Sequence, residues 1–170
     1  DVYFDSNFNS SSTKFDRPCL FASASVVNSG ARMVYNTGVI LLNNSLKVLV
    51  DVSIVPNIIS PSNDHAYYIG IATLAAATLT TFTGSGLIFK YRPSENSGNI
   101  QILKVLSNSI TTLLNTNIPF PNYSLTRFRV LYNKALDTAY FYINNTLVHT
   151  ENSVLLVTTS GYYSFQYLYQ

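Results

Sequence analysis

Charge is scarce in this chain. Of 170 residues, ten are Lys or Arg and eight are Asp or Glu. That is 11% charged, against about 25% in an ordinary soluble domain. A net charge of +2 spread over so few groups makes no basic field, which excludes a nucleic-acid footprint. Cysteine is reduced to Cys19, so no disulfide forms within the chain and stability does not come from such staples. With no Cys–His constellation around it, Cys19 reads as a small buried hydrophobe. Apolar runs are broken by Thr, Ser, Lys or Asp well short of the ~18 residues of a membrane-spanning helix.

Catalytic groups are equally thin. Glu95 and Glu151 are the only glutamates, and no two acids share a strand at spacing two, so no carboxylate pair for glycoside hydrolysis is evident. Asp51, in mid-strand, is expected to face solvent or pair with a lysine. Asn63-Asp64-His65 offers the best local oxygen cluster for calcium but reads as a turn. His65 and His149 lack zinc-ligand spacing. No Gly-x-Ser-x-Gly elbow or phosphate loop occurs, and Gly84-Ser85-Gly86 reads as a hairpin turn. The expectation is therefore no catalytic residue, no metal ligand, no cofactor and no enzyme.

What fills the chain instead is neutral polarity. Ser, Thr and Asn together number 54 and supply the wet surface that charge does not. Four Asn-X-Ser/Thr acceptor patterns for N-glycosylation begin at Asn9, Asn43, Asn122 and Asn144. All four fall in segments that read as turns or termini, as a modified loop requires. The chain starts at Asp1 with neither Met nor a signal segment, and is read as a mature form, exported with its leader removed, at a cell or virion surface.

Period-two alternation runs nearly throughout. Leu46, Val48, Val50, Val52 and Ile54 oppose Lys47, Asp51 and Ser53. Phe128, Val130 and Tyr132 alternate with Arg127 and Arg129, and Ala139, Phe141 and Ile143 with Tyr140 and Tyr142. Tyr163, Phe165, Tyr167 and Tyr169 alternate with Ser164 and Gln166. These are strands with one buried face, rich in the aromatic and β-branched residues that strands favour. The one helix-like patch is Leu74 to Ala77. Turn clusters at 28–30, 56–64, 84–86, 93–98 and 115–124 separate about twelve short strands, the layout of an all-β antiparallel sandwich or jelly roll with little or no helix.

The stretch from Thr126 to Thr150, with its hairpin Phe141-Tyr-Ile-Asn-Asn-Thr-Leu-Val148, resembles the concanavalin-like jelly roll of laminin-G domains, legume-type lectins and many glycanases. Asn144-Asn145 stands where that family has Asn-Gly and still suits a two-residue turn with positive φ. Gly86 to Arg92 and Asn99 to Lys104 look like its central strands, so the likeness covers residues 86–164. It implies the fold and is nearly silent on function. In composition and layout, the chain also resembles subunits of archaeal surface threads and pili, which polymerise by donor-strand complementation.

Two functions follow. In the first, residues 1–13 are a donor strand and polar hinge ahead of a sandwich at 14–170. Val2, Phe4 and Phe8 would enter a neighbour's groove and build a head-to-tail homopolymer, a filament. In the second, the chain is a lectin-like or viral-spike recognition domain for glycans or a surface receptor. There the outward tyrosines Tyr68, Tyr140, Tyr142 and Tyr162 would stack on sugar rings or pack in an interface.

Overall fold

The computed structural model describes residues 31–34, 40–41, 47–56, 66–73, 84–156 and 162–169, of which 31–34, 40–41 and 162–169 are described by their backbone. Alternation becomes strand wherever it was read in these segments. In chain order the strands are β1 (Ala31–Val34), β2 (Ile40–Leu41), β3 (Lys47–Ile54), β4 (Tyr67–Thr73), β5 (Gly86–Tyr91) and β6 (Asn99–Leu106). They continue as β7 (Ser109–Pro119), β8 (Thr126–Asn133), β9 (Thr138–Ile143), β10 (Thr146–Asn152) and β11 (Tyr162–Tyr169). Helix among the described residues is confined to two 3₁₀ turns, Asn96–Gly98 and Lys134–Leu136.

The strands form two antiparallel sheets. One runs β1-β11-β4-β5-β6-β7, with β2 also beside β11; the other runs β10-β9-β8-β3. Their inner faces share a single apolar core. Phe89 of β5 lies 5.1 Å, ring centroid to centroid, from Phe128 of β8 and 5.6 Å from Phe141 of β9. Phe120 meets Tyr67, Tyr91 and Phe128 edge-on at 5.5, 5.3 and 5.4 Å. Such pairs add about 0.5–1.5 kcal/mol beyond their area burial. The fold is the expected all-β sandwich.

The outward faces differ. On the larger sheet, Ala72, Ile88, Leu103 and Val105 are buried in a second cluster with Tyr68 packed against it. On the four-stranded sheet, outward Lys47, Leu49 and Asp51 are exposed. At the edge between the sheets, Lys104 of β6, in register with Leu87, turns inward and meets Glu151 of β10 at 2.5 Å. His149 Nε2 stands 3.5 Å from the same carboxylate.

Two expectations are corrected. Residues 115–119 belong to β7 rather than to a turn cluster: Asn115 pairs with Gln101 in the ladder and Pro119 closes it opposite Asn99. The turn-prone residues are held by sheet partners, with Thr116 Oγ1 donating to Ile100 O at 2.6 Å, and the proline sits at a strand end where its missing N–H matters least. Gly84-Ser85-Gly86 is not a hairpin turn either. Gly86 lies within β5, paired with Ala72 and Val105, and a Cβ there would stand 2.6 Å from the Ile71 carbonyl oxygen. Glycine is needed for close approach of two strands.

Replacing Phe89 by Ala removes the ring that touches β8 and β9 of the opposite sheet, and is expected to cost about 3–5 kcal/mol. Urea unfolding of wild type and variant measures this directly.

Candidate functional site

The open face of the four-stranded sheet is built in rows. Register places Leu49, Leu131, Tyr140 and Thr150 side by side, and Asp51, Arg129, Tyr142 and Leu147 in the next row; Ser53 faces Arg127 in a third. Each is outward because its neighbours Val48, Phe128, Val130, Phe141 and Ile143 are buried in the core.

Asp51 organises this face. Arg127 grips its carboxylate with two hydrogen bonds, Nε to Oδ1 and Nη2 to Oδ2, both 2.6 Å. Arg129 Nε donates to Oδ2 at 3.0 Å. The Arg127 fork holds the Asp51 carboxyl below its ordinary range, against a smaller opposing effect of burial, and Arg129 lowers it further. Two cations over one anion leave a local surplus of one positive charge. Arg129 also lies over the Tyr142 ring, 5.7 Å from its centroid, a cation–π contact.

The β9–β10 hairpin supplies the rim. Asn144 and Asn145 have φ of 49° and 66°, the two left-handed residues expected of this turn. Asn144 Oδ1 accepts from the Arg127 backbone N–H at 2.9 Å, and Asn145 Oδ1 accepts from Arg127 Nη1 at 3.2 Å. Together with Asp51, Ser53, Leu125 and Arg127, the two asparagines line an open depression of about 680 Å³. Val55, Tyr123 and Leu125 are each more than half exposed, and the Tyr123 N–H donates to Pro56 O at 2.9 Å, fastening that loop to the end of β3.

The four candidate tyrosines do not meet. Tyr140 and Tyr142 share the open face, whereas Tyr68 lies on the other sheet beneath Lys90, whose Nζ is 5.8 Å from the ring centroid. Tyr162 opens β11 opposite Leu41 in that same sheet. Of the acceptor asparagines, Asn122 and Asn144 are exposed in turns. Asn9, Asn43, the strand residues Val2, Phe4 and Phe8, and Cys19, Asn63, Asp64 and His65 lie outside the described residues. Asp51 lies on the outer face as expected, but its partners are two arginines of the neighbouring strand and not a lysine. The cluster was missed in the sequence because its partners lie 76 and 78 positions away; the Arg-x-Arg spacing on β8 was its only trace.

The other described carboxylates are engaged too. Glu95 pairs with Lys90 and Arg92, Glu151 with Lys104, and Asp137 accepts from the Tyr132 hydroxyl at 2.8 Å. Among the described residues no three His, Cys, Asp or Glu side chains cluster as metal ligands would, and no helix is long and apolar enough to cross a membrane.

No protein-family model and no curated protein matches the chain. Solved structures do. The carbohydrate recognition domain of Emp46p superposes with a TM-score of 0.60 at 9% identity, over 84% of this chain and 70% of that one. An endo-1,3-beta-glucanase from Streptomyces sioyaensis gives 0.51 at 10% identity, over 82% and 58%. The binding domain of botulinum neurotoxin serotype D gives 0.50 at 12%, over 100% of this chain and 42% of that one. At such identities the likeness speaks to architecture: this chain carries the concanavalin-like jelly roll shared by lectins and glucanases.

Proposed function

We propose that this is a non-enzymatic, extracellular recognition domain that binds glycans on the open face of the four-stranded sheet. The observation that carries the reading is the Asp51–Arg127–Arg129 cluster beside Tyr142. Sugars offer hydroxyls that suit planar, two-pronged partners such as carboxylate and guanidinium, and apolar C–H faces that suit aromatic rings. Both are present here on rigid strands, with the guanidinium groups already oriented by Asp51 and Asn145, so little ordering is left to the moment of binding. The surplus positive charge favours sugars bearing a carboxylate. Supporting the absence of catalysis, the described carboxylates are each tied to a cation or donor instead of facing one another across a cleft.

Self-assembly is the second reading. Among the described residues β3 pairs along one side alone, with β8, so its other edge could accept a strand such as residues 2–8. Deleting residues 1–8 should then leave a folded domain that sediments as a monomer while the full chain sediments as polymer; a full chain that is itself monomeric contradicts it.

An array of immobilised neutral and acidic oligosaccharides tests the recognition reading. The wild type, made without glycans in a bacterial host, should bind acidic members. Tyr142→Ala and Arg129→Gln should each lose at least about tenfold, or 1.4 kcal/mol, with unchanged circular dichroism. Absence of binding, or equal binding by both variants, contradicts the reading.

Acid response follows from Asp51. Its folded pKa is lowered, so the interaction is fully formed above the unfolded value of about 3.9 and is lost as pH falls through the lower folded one. Binding should therefore stay level from pH 8 to 5 and fall only below about pH 4, as measured by titration on a bound array member.

A further inference from the structure

The same hairpin that forms the rim of the depression carries an acceptor sequence, Asn144-Asn145-Thr146. Asn144, Asn145 and Thr146 are all exposed, and the turn lies between two paired strands at Ile143 and Thr146. The Asn144 amide oxygen is occupied by the Arg127 backbone N–H at 2.9 Å, which fixes the side chain at the rim and leaves Nδ2 as the amide atom available to chemistry. Asn144 lines the depression together with Asp51 and Arg127. A substituent on Nδ2 therefore starts at the edge of the very face that binds.

We propose that Asn144 is an N-glycosylation site whose sugar covers the Asp51–Arg127–Arg129 face, so that modification and ligand binding exclude each other. The inference rests on the recognition reading for its consequence, but the modification and the cover stand on their own geometry. The donor is a lipid-linked oligosaccharide pyrophosphate. A bond forms between sugar C1 and Nδ2, the bond from C1 to the pyrophosphate oxygen breaks, and the Nδ2 proton leaves with the lipid pyrophosphate. Polar sugar groups already suit this surface, for the reasons that suit it to a free glycan, so the attached sugar has partners within reach in Arg127, Arg129 and Tyr142. Asn122, exposed in the loop that precedes Leu125, belongs to the same end of the sheet and carries the second acceptor sequence among the described residues.

The test compares the full chain with Thr146→Ala, both secreted from a glycosylating eukaryotic host. Thr146→Ala removes the acceptor sequence while keeping Asn144 and its hydrogen bond to Arg127, and Asn122 is unaltered in both. Peptide mapping by mass spectrometry reads occupancy at Asn144, and phenylglyoxal labelling reads access to Arg127 and Arg129. The expected result is a sugar on Asn144 in the full chain, with both arginines labelled several-fold more slowly than in Thr146→Ala. A bare Asn144 peptide overturns the site. An occupied Asn144 with equal arginine labelling overturns the cover. Neither readout uses a sugar ligand, so failure of the oligosaccharide array is distinguishable from failure here.

Discussion

The aromatic seam between the sheets governs everything outside it. Phe89 reaches across to Phe128 and Phe141, and Phe120 binds the same layer from the end of β7. Side chains in a strand alternate strictly, so burying Phe128 and Val130 forces Arg127 and Arg129 outward, and burying Phe141 and Ile143 forces Tyr140 and Tyr142 outward. Val48 fixes Asp51 on the same outer face through β3. A slip of one residue in any of these strands would carry charge into the core and rings into water. The site is thus a by-product of core packing, and is as rigid as the core beneath it.

Scarcity of charge makes the placement of the remaining charges informative. Exposed ion pairs contribute little to stability, about 0–1 kcal/mol each, so the Asp51 cluster is better understood as orienting two guanidinium groups than as holding the sheet together. Lys104 and Glu151 differ: at 14% and 19% exposure they join one sheet to the other, and the carboxylate gives an inward-facing lysine a partner at the sandwich edge. Removing Glu151 would leave Lys104 partly buried and without this partner, which costs more than the pair itself contributes.

The sequence spelled out β8 and β9 almost residue by residue, and the hairpin that follows them, because alternation and the Asn144-Asn145 turn are local signals. β7 stayed hidden for the opposite reason: Asn115 to Pro119 have turn chemistry of their own, and only the ladder to Asn99 and Gln101 makes them strand. Gly86 misled similarly, since a glycine needed for close contact with Ile71 reads in sequence like a glycine needed for a turn. Of the site, outward Tyr140 and Tyr142 were legible, whereas the meeting of Asp51 with Arg127 and Arg129 depends on the register of β3 against β8, which periodicity does not encode. Tyr68 lies on the face opposite the core but packs against a second buried cluster, and alternation says nothing about which sheet a strand joins.

Amide chemical-shift mapping measures the central claim most directly. The ¹⁵N-labelled domain would be titrated with the oligosaccharide that binds best on the array. Recognition by the four-stranded sheet predicts shifts concentrated at Asp51, Arg127, Arg129, Tyr142 and the Asn144–Asn145 turn, with the amides around Tyr68 and Lys90 unmoved. Shifts centred on Tyr68 and Lys90 instead, with the Asp51 cluster silent, would contradict it.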